Sequence, residues 1–378
     1  MESAADETVA NTLGSDKVWQ EFCDALKKSG EQILRTEAPS DELTRAEGYR
    51  YLTRLLRIAL DMFMECGDRD FPSFYRPSHE TAKIGADNPD NYYLRAELDG
   101  NNEYRISGTR GSVHYLSFGT QAGGYGEDGR NEPTGFIDAR QIELHADGSF
   151  ELILSKEKHP GNWLPMTAAT KTVIVRQTFL DRNIEQPAEI KIARVNTIGK
   201  ATCVPAPLTA TKLATALQST AAFVNGTANL FADWSEMFKA QGCNQLLAVD
   251  QKMCQAVGGD PNVFYLHGYW ELAADEALII DVTDIPACET WNYQLDNYWM
   301  ESLDYRYFPI TVNKNTAVYN ADGSVRIIVA HGKPEALGVR KVNWMDTAGH
   351  CVGTHCFRWI GAKEYPVPEV KIVKFVEL

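Results

Sequence analysis

A chain of 378 residues exceeds the roughly 250 to 300 at which a single hydrophobic core stops growing, so two or three domains are expected. Its composition, 44% apolar and 23% charged, is that of a globular protein, and a formal charge of −14 excludes nucleic acid and anionic lipid, which take a basic surface to displace counterions. No apolar run reaches the roughly 18 residues of a membrane span, and eight cysteines without a C-x-x-C pair read as thiols of a reducing compartment.

The N-terminus, MESAADETVANTLGSD, is acidic and polar where a secretory signal is basic and then apolar, which predicts a cytoplasmic protein with a short frayed tail. Trp19, Phe22, Leu26 and Ile33 fall at helical spacing and predict a short amphipathic helix from Trp19 to Leu34. Ser40 is placed to cap a second helix, whose Leu52, Leu55, Leu56, Ala59, Leu60 and Phe63 form an apolar stripe, with Arg45, Arg50, Arg54 and Arg57 off it. Gly67 and Pro72 end that helix, so residues 1 to 70 make a tail and an N-terminal helical segment.

From 71 to 200 the period changes. After the turn residues IGADNPDN come YYLRAEL, YRISG, SVHYLSFG, QIELHA, SFELILS and TVIVRQTF, short β-branched or aromatic runs that predict an antiparallel sandwich or barrel. The loop GTQAGGYGEDG, Gly119 to Gly129, has no helix after it and is a weak phosphate-binding signal. Residues 201 to 260 return to helix, as 208–224 and 229–239 with a break at Gly226, and 261 to 378 return to strands: FYLHGYWEL, ALIIDV, TWNYQLD, ITVNK, VRIIVAH, HCFRWIG and VKIVKFV.

The two β regions share a passage. ADGSFELILSKEKHPGNWLPMTAATKTVIVR begins at 146 and ADGSVRIIVAHGKPEALGVRKVNWMDTAGHCVGTHCFR at 321, each running from Ala-Asp-Gly-Ser through Asn-Trp to an Arg that closes an apolar strand. The offsets are 175 (321 − 146), 181 (343 − 162) and 182 (358 − 176), so one β unit is duplicated with a few extra residues in the second copy. The fold expected is mainly β with α: two related antiparallel β-sandwich units with N-terminal and central helical segments packed on their open faces. Asn162 with Trp163, and Asn343 with Trp344, read as structural, Asn bonding backbone in a turn and Trp plugging a sandwich core.

NPDNYYLRAELDG, YRISGTRGSVHYLSFGTQAGGYG, DGSFELILSKEKHPGNWLP and VRQTFLDR resemble the bacterial domain-of-unknown-function family twelve-fourteen, over about residues 40 to 375. The resemblance implies a β-sandwich protein, often self-associating, from bacteria that degrade unusual carbon sources. It supplies no catalytic residues, so those are argued from chemistry.

There is no GxSxG, HExxH, Walker loop, EF-hand or strand-then-GxGxxG unit, and no cofactor is expected. In His350-Cys351-Val-Gly-Thr-His355-Cys356 a straight strand would hold Cys351 and His355 about 13 Å apart, too far for one ion, so no metal site is expected. Polar and aromatic residues collect in the second unit: His267, Trp291, Tyr293, Tyr298, Trp299, Glu301, Asp304, Arg306, Asp346, His350 and Arg358. That is the composition of a pocket for a largely apolar organic molecule. Asp304 or Glu301 would be the general acid, His350 the proton exchanger, and Arg306 or Arg358 the holder of a carboxylate or enolate, with His114 and Tyr115 the matching candidates in the first unit. The expectation is a cofactor-independent catabolic enzyme of lyase, isomerase or hydrolase type acting on a lipophilic small molecule. The alternatives are a non-catalytic carrier of such a ligand, or a structural homo-oligomer with the aromatic stretch 291 to 308 buried between subunits.

Overall fold

The computed structural model describes residues 16–197, 203–338 and 341–378, so the predicted N-terminal tail lies outside the described residues except at its last position. The first unit is built from β1 (Asn91–Glu97), β2 (Tyr104–Thr109), β3 (Tyr115–Ala122), β4 (Glu132–Asp138), β5 (Ser149–Ser155), β6 (Trp163–Pro165), β7 (Thr170–Thr178) and β8 (Glu189–Arg194). The second is built from β9 (Leu247–Ala248), β10 (Val263–Glu271), β11 (Glu276–Val282), β12 (Thr290–Leu295), β13 (Thr311–Asn313), β14 (Val325–Ala330), β15 (Asn343–Asp346), β16 (Val352–Ile360) and β17 (Glu369–Lys374).

Each unit holds two sheets. The first pairs β1-β7-β3-β4 and β6-β5-β2-β8; the second pairs β10-β16-β12-β13, with β9 added at the β10 edge, and β15-β14-β11-β17. The two orders match strand for strand, including the parallel pairs β5 with β6 and β14 with β15 in otherwise antiparallel sheets. Period-2 alternation turns one face of each sheet inward. Leu152, Leu154, Val173 and Val175 share the first core, and Ile327, Val329, Phe357 and Trp359 share the second.

The Asn-Trp pair acts alike in both copies. Asn162 Nδ2 donates to the carbonyls of Glu143 and Glu151 at 2.9 Å, and its Oδ1 accepts from Glu143 N at 2.8 Å. Asn343 repeats this with Val318 and Arg326, at 2.8 and 2.9 Å donated and 2.7 Å accepted. The clip crosses to other segments, where a bond within its own turn was expected. Nor does Trp plug the sandwich: alternation sends Leu164 and Met345 into the cores, while Trp344 packs on the outer face beside Ile279 and Ile328.

Among the described residues the α-helices are α1 (Lys17–Ser29), followed by a 3-10 turn at Gly30–Leu34; α2 (Glu42–Leu60); α3 (Ala210–Gln241); and α4 (Gln251–Ala256). The cap of α2 is Asp41, whose side chain accepts from Thr44 N at 2.9 Å, one residue past the expected Ser40. Its buried face runs through Tyr51, Leu55, Ile58 and Ala59, so Leu55 and Ala59 of the predicted stripe are buried with Tyr51 and Ile58 beside them, and Arg54 pairs with the buried Glu301 at 2.6 Å. Gly226 does not break the central helix; α3 runs through it unbroken. A Cβ there would strike the carbonyl of Tyr125, so the glycine lets the loop after β3 lie against the helix. QIELHA is a 3-10 turn and loop, its place in the sheet taken by β4. Among the described residues no helix is long and apolar enough to cross a membrane.

Candidate ligand-binding site

The faces of β1, β7, β10 and β16 that point away from the two cores carry Tyr93, Arg95, Ile174, Arg176, Tyr265, His267 and Arg358. In the folded chain these outer faces meet each other, and the space between them is a cavity of about 150 Å³. Phe223, Phe231 and Trp234 of α3, Met62 beyond α2, and Tyr125 of the glycine-rich loop close it. Phe231 stands edge-on to both Tyr125 and Trp234, with ring centroids 5.5 and 6.1 Å apart. The wall is more apolar than polar, with several aromatic rings and a set of convergent polar groups, as ligand pockets are.

Those polar groups obey the duplication. Tyr93 pairs with Arg176 across β1 and β7, and Tyr265 with Arg358 across β10 and β16. The Tyr93 hydroxyl accepts from Asn88 N at 3.0 Å, and the Tyr265 hydroxyl from Asp260 N at 2.9 Å, both at an offset of 172 (265 − 93 and 260 − 88). Each arginine then crosses to the loop of the other unit: Arg176 donates to the Gly258 carbonyl and Arg358 to the Ala86 carbonyl, again 172 apart (258 − 86). The loops IGADNPDN and AVGGDPN are thus also copies. Burial raises both phenol pKa values, and both guanidiniums lie close enough to pull each back down.

By the same offset the two loops exchange an acidic position: Asp87 of the first answers to Gly259 of the second, and Asp260 of the second to Asn88 of the first. Asp260 accepts from Ser117 Oγ at 2.7 Å and stands 3.9 Å from the Arg176 guanidinium. Its counterpart is Asn88, whose Oδ1 accepts from Asn292 Nδ2 at 3.2 Å. Arg358 therefore bonds neutral acceptors, the Gln294 side chain and the Ala86 carbonyl. Among the described residues no carboxylate lies within 4.0 Å of its guanidinium nitrogens.

Two further titratable groups border the space. His267 is stacked on Phe238 at 5.0 Å, and burial, helped by Arg358 and His355, lowers its pKa to about 3, so it is neutral at pH 7. Its Nδ1 is buried without a partner. Asp87 is buried and accepts from Ser302 N and Oγ, both at 3.0 Å; burial raises its pKa against the pull of Lys83, Ser302 and Arg358.

Of the candidates named from sequence, His267, Tyr115 and Arg358 line this cavity. The others stand elsewhere. Asp304 and Arg306 form a half-exposed ion pair with each other, at 2.9 and 2.7 Å, so neither is free to act on a ligand. His350 Nε2 meets Glu47 Oε2 at 2.6 Å, and Glu301 pairs with Arg54 at 2.6 Å. The first pair joins α2 to the turn between β15 and β16, and the second joins it to the segment after β12, where Tyr298 donates to Glu236 at 2.7 Å and Trp299 to the Thr44 carbonyl at 2.8 Å. Trp291 stacks on Phe357 in the second core, Tyr293 meets His355 Nδ1 at 2.9 Å, and Asp346 accepts from Ala348 N in a turn. His114 is at the surface, 3.2 Å from the Glu289 carbonyl. Trp291, Tyr293, Tyr298 and Trp299 are buried within the chain itself, whereas Tyr307 and Phe308 at the end of the same stretch are exposed.

Arg176, Tyr93, Asp87, Asn88, Asp260 and the α3 aromatics were missed. The signal for Arg176 was in the repeat, since an arginine ends the apolar strand in both copies. An arginine inside a β-branched run is costly to bury and marks the strand's second face as something other than solvent.

Comparison with solved structures gives an uncharacterized protein from Burkholderia cenocepacia at 55% identity and a TM-score of 0.93, over 98% of this chain and 100% of that one. The chain belongs to that protein's family. A Vibrio parahaemolyticus protein, matched over 86% of this chain and 98% of its own at 13% identity and a TM-score of 0.50, shares the fold. No protein-family model and no curated protein matches the chain.

Proposed function

We propose that the protein binds a small, largely apolar organic molecule in the cavity between its two halves. The observation that carries this is the cavity itself, about 150 Å³ walled by Phe223, Phe231, Trp234 and two tyrosine–arginine pairs. That is the size of cavity known to hold a single aromatic ring. All eight cysteines are free thiols, which accords with a cytoplasmic setting. Saturation-transfer NMR with neutral one-ring and alicyclic alcohols tests the proposal. Transfer is expected with the native chain and not with Val257→Trp, which fills the cavity; equal transfer in both, or none in either, contradicts it.

A second reading, general acid/base catalysis on the same ligand without a cofactor, is favoured by Asp87, a buried carboxyl with a raised pKa that borders the cavity. Under it, Asp87→Asn abolishes turnover while ligand affinity stays within about twofold; unchanged turnover rejects the reading.

A further inference from the structure

The cations around the cavity differ in their partners. Arg95 is paired with Glu97 at 3.2 Å, and Arg176 stands 3.9 Å from Asp260. Lys83 is held by the carbonyls of Ser302 and Leu303, and Arg358 by the Gln294 side chain and the Ala86 carbonyl. Arg358 is thus a buried guanidinium on the cavity wall with, among the described residues, no carboxylate within 4.0 Å of its nitrogens. An uncompensated buried charge is costly to keep and is retained where something neutralises it.

The duplication locates the vacancy independently. Where the second unit's loop presents Asp260 to Arg176, the first unit's loop presents the neutral Asn88 on the side of Arg358. The carboxylate that faces Arg176 has no copy facing Arg358, since the first unit's own acidic residue, Asp87, stands one place earlier and is held by Ser302.

Resting on the cavity reading above, we propose that the ligand is a monoanion, a single-ring carboxylate whose head pairs with Arg358 while its ring lies among Phe231, Trp234 and His267. A guanidinium is suited to this, since its planar fork takes both oxygens of one carboxylate. A dianion would set two charges against the one guanidinium that has no carboxylate beside it. The stacked, neutral His267 and the α3 aromatics offer the ring apolar faces.

Titration calorimetry with benzoate and its neutral isostere benzamide tests the assignment. Benzoate should bind at least tenfold more tightly than benzamide to the native chain, and Arg358→Gln should bring benzoate down to the benzamide level. Should Arg358→Gln fail to fold, Asn88→Asp decides: it gives Arg358 the carboxylate that Arg176 already has, and should weaken benzoate at least tenfold while leaving benzamide unchanged. Benzamide binding as well as benzoate, or benzoate failing where neutral rings still bind, overturns the charge assignment and leaves the cavity reading standing. If no ring compound of either charge binds, both are overturned.

Discussion

His350 is held by Glu47 inside a wall that excludes most water, and the pair reports its protonation through stability. Burial alone would lower the His350 pKa, but the hydrogen bond and charge of Glu47 outweigh it and hold the value above the ordinary 6.5. Burial would raise Glu47, and His350, Asn297 and Arg50 hold it below 4.5. The histidine's contribution is therefore complete below pH 6.5 and is lost as pH rises through the raised folded value. The glutamate's is present above pH 4.5 and is lost as pH falls through its lowered one. Urea midpoints across pH should show native chain and His350→Gln converging on the alkaline side and diverging between these limits; a constant gap would contradict the pairing. Arg54→Ala should cost about 3 kcal/mol in the same assay, since it strands the buried Glu301 carboxylate; a loss under about 1 kcal/mol would mean that the pair is solvated. Residue roles were the least legible level in the sequence. Glu301, Asp304 and His350 were noticed for their chemistry, but nothing in the sequence shows that their partners, Arg54, Arg306 and Glu47, would use them up.

The Asn162 and Asn343 clips show what a copied element preserves. Each satisfies two carbonyls and one amide, tying the start of the short parallel strand, β6 or β15, to the strand before it, β5 or β14, and to the loop ahead of that strand. Replacing Asn343, which is buried, by Ala should cost about 2 kcal/mol, and replacing the half-exposed Asn162 about 1 kcal/mol, since water can reach the groups it abandons. Chemical denaturation of both variants checks the order, and a reversed order would contradict it. Gly226 makes the opposite point. Helix propensity says Gly226→Ala should gain about 1 kcal/mol. The collision with the Tyr125 carbonyl says it should lose, and thermal unfolding should show a lowered Tm. Strand elements were legible because β-branched runs with Asp-Gly turns leave a period-2 trace. The continuous α3 was not, because a glycine required for close approach is written the same way as one that ends a helix.

At the scale of the molecule, one unit was copied and the copies face each other through surfaces that a lone sandwich would expose to water. The duplication itself was readable from Asp-Gly-Ser, Asn-Trp and the two arginines. The sequence carries no trace of which faces would meet, since Arg176 and Ser107 are equally plausible as solvent-facing strand residues until the second unit covers one sheet. The density of aromatic residues in the second copy therefore points within that copy, whereas the cavity lies where the copies join, with α3 as its roof. The account predicts that disturbing the join affects both halves together, and its central claim is that the join holds a ligand. Diffraction from crystals soaked in benzyl alcohol tests this most directly. Density for one ring among Phe231, Trp234 and His267 is the predicted result, and a ring bound elsewhere on the protein with that space unchanged would contradict it.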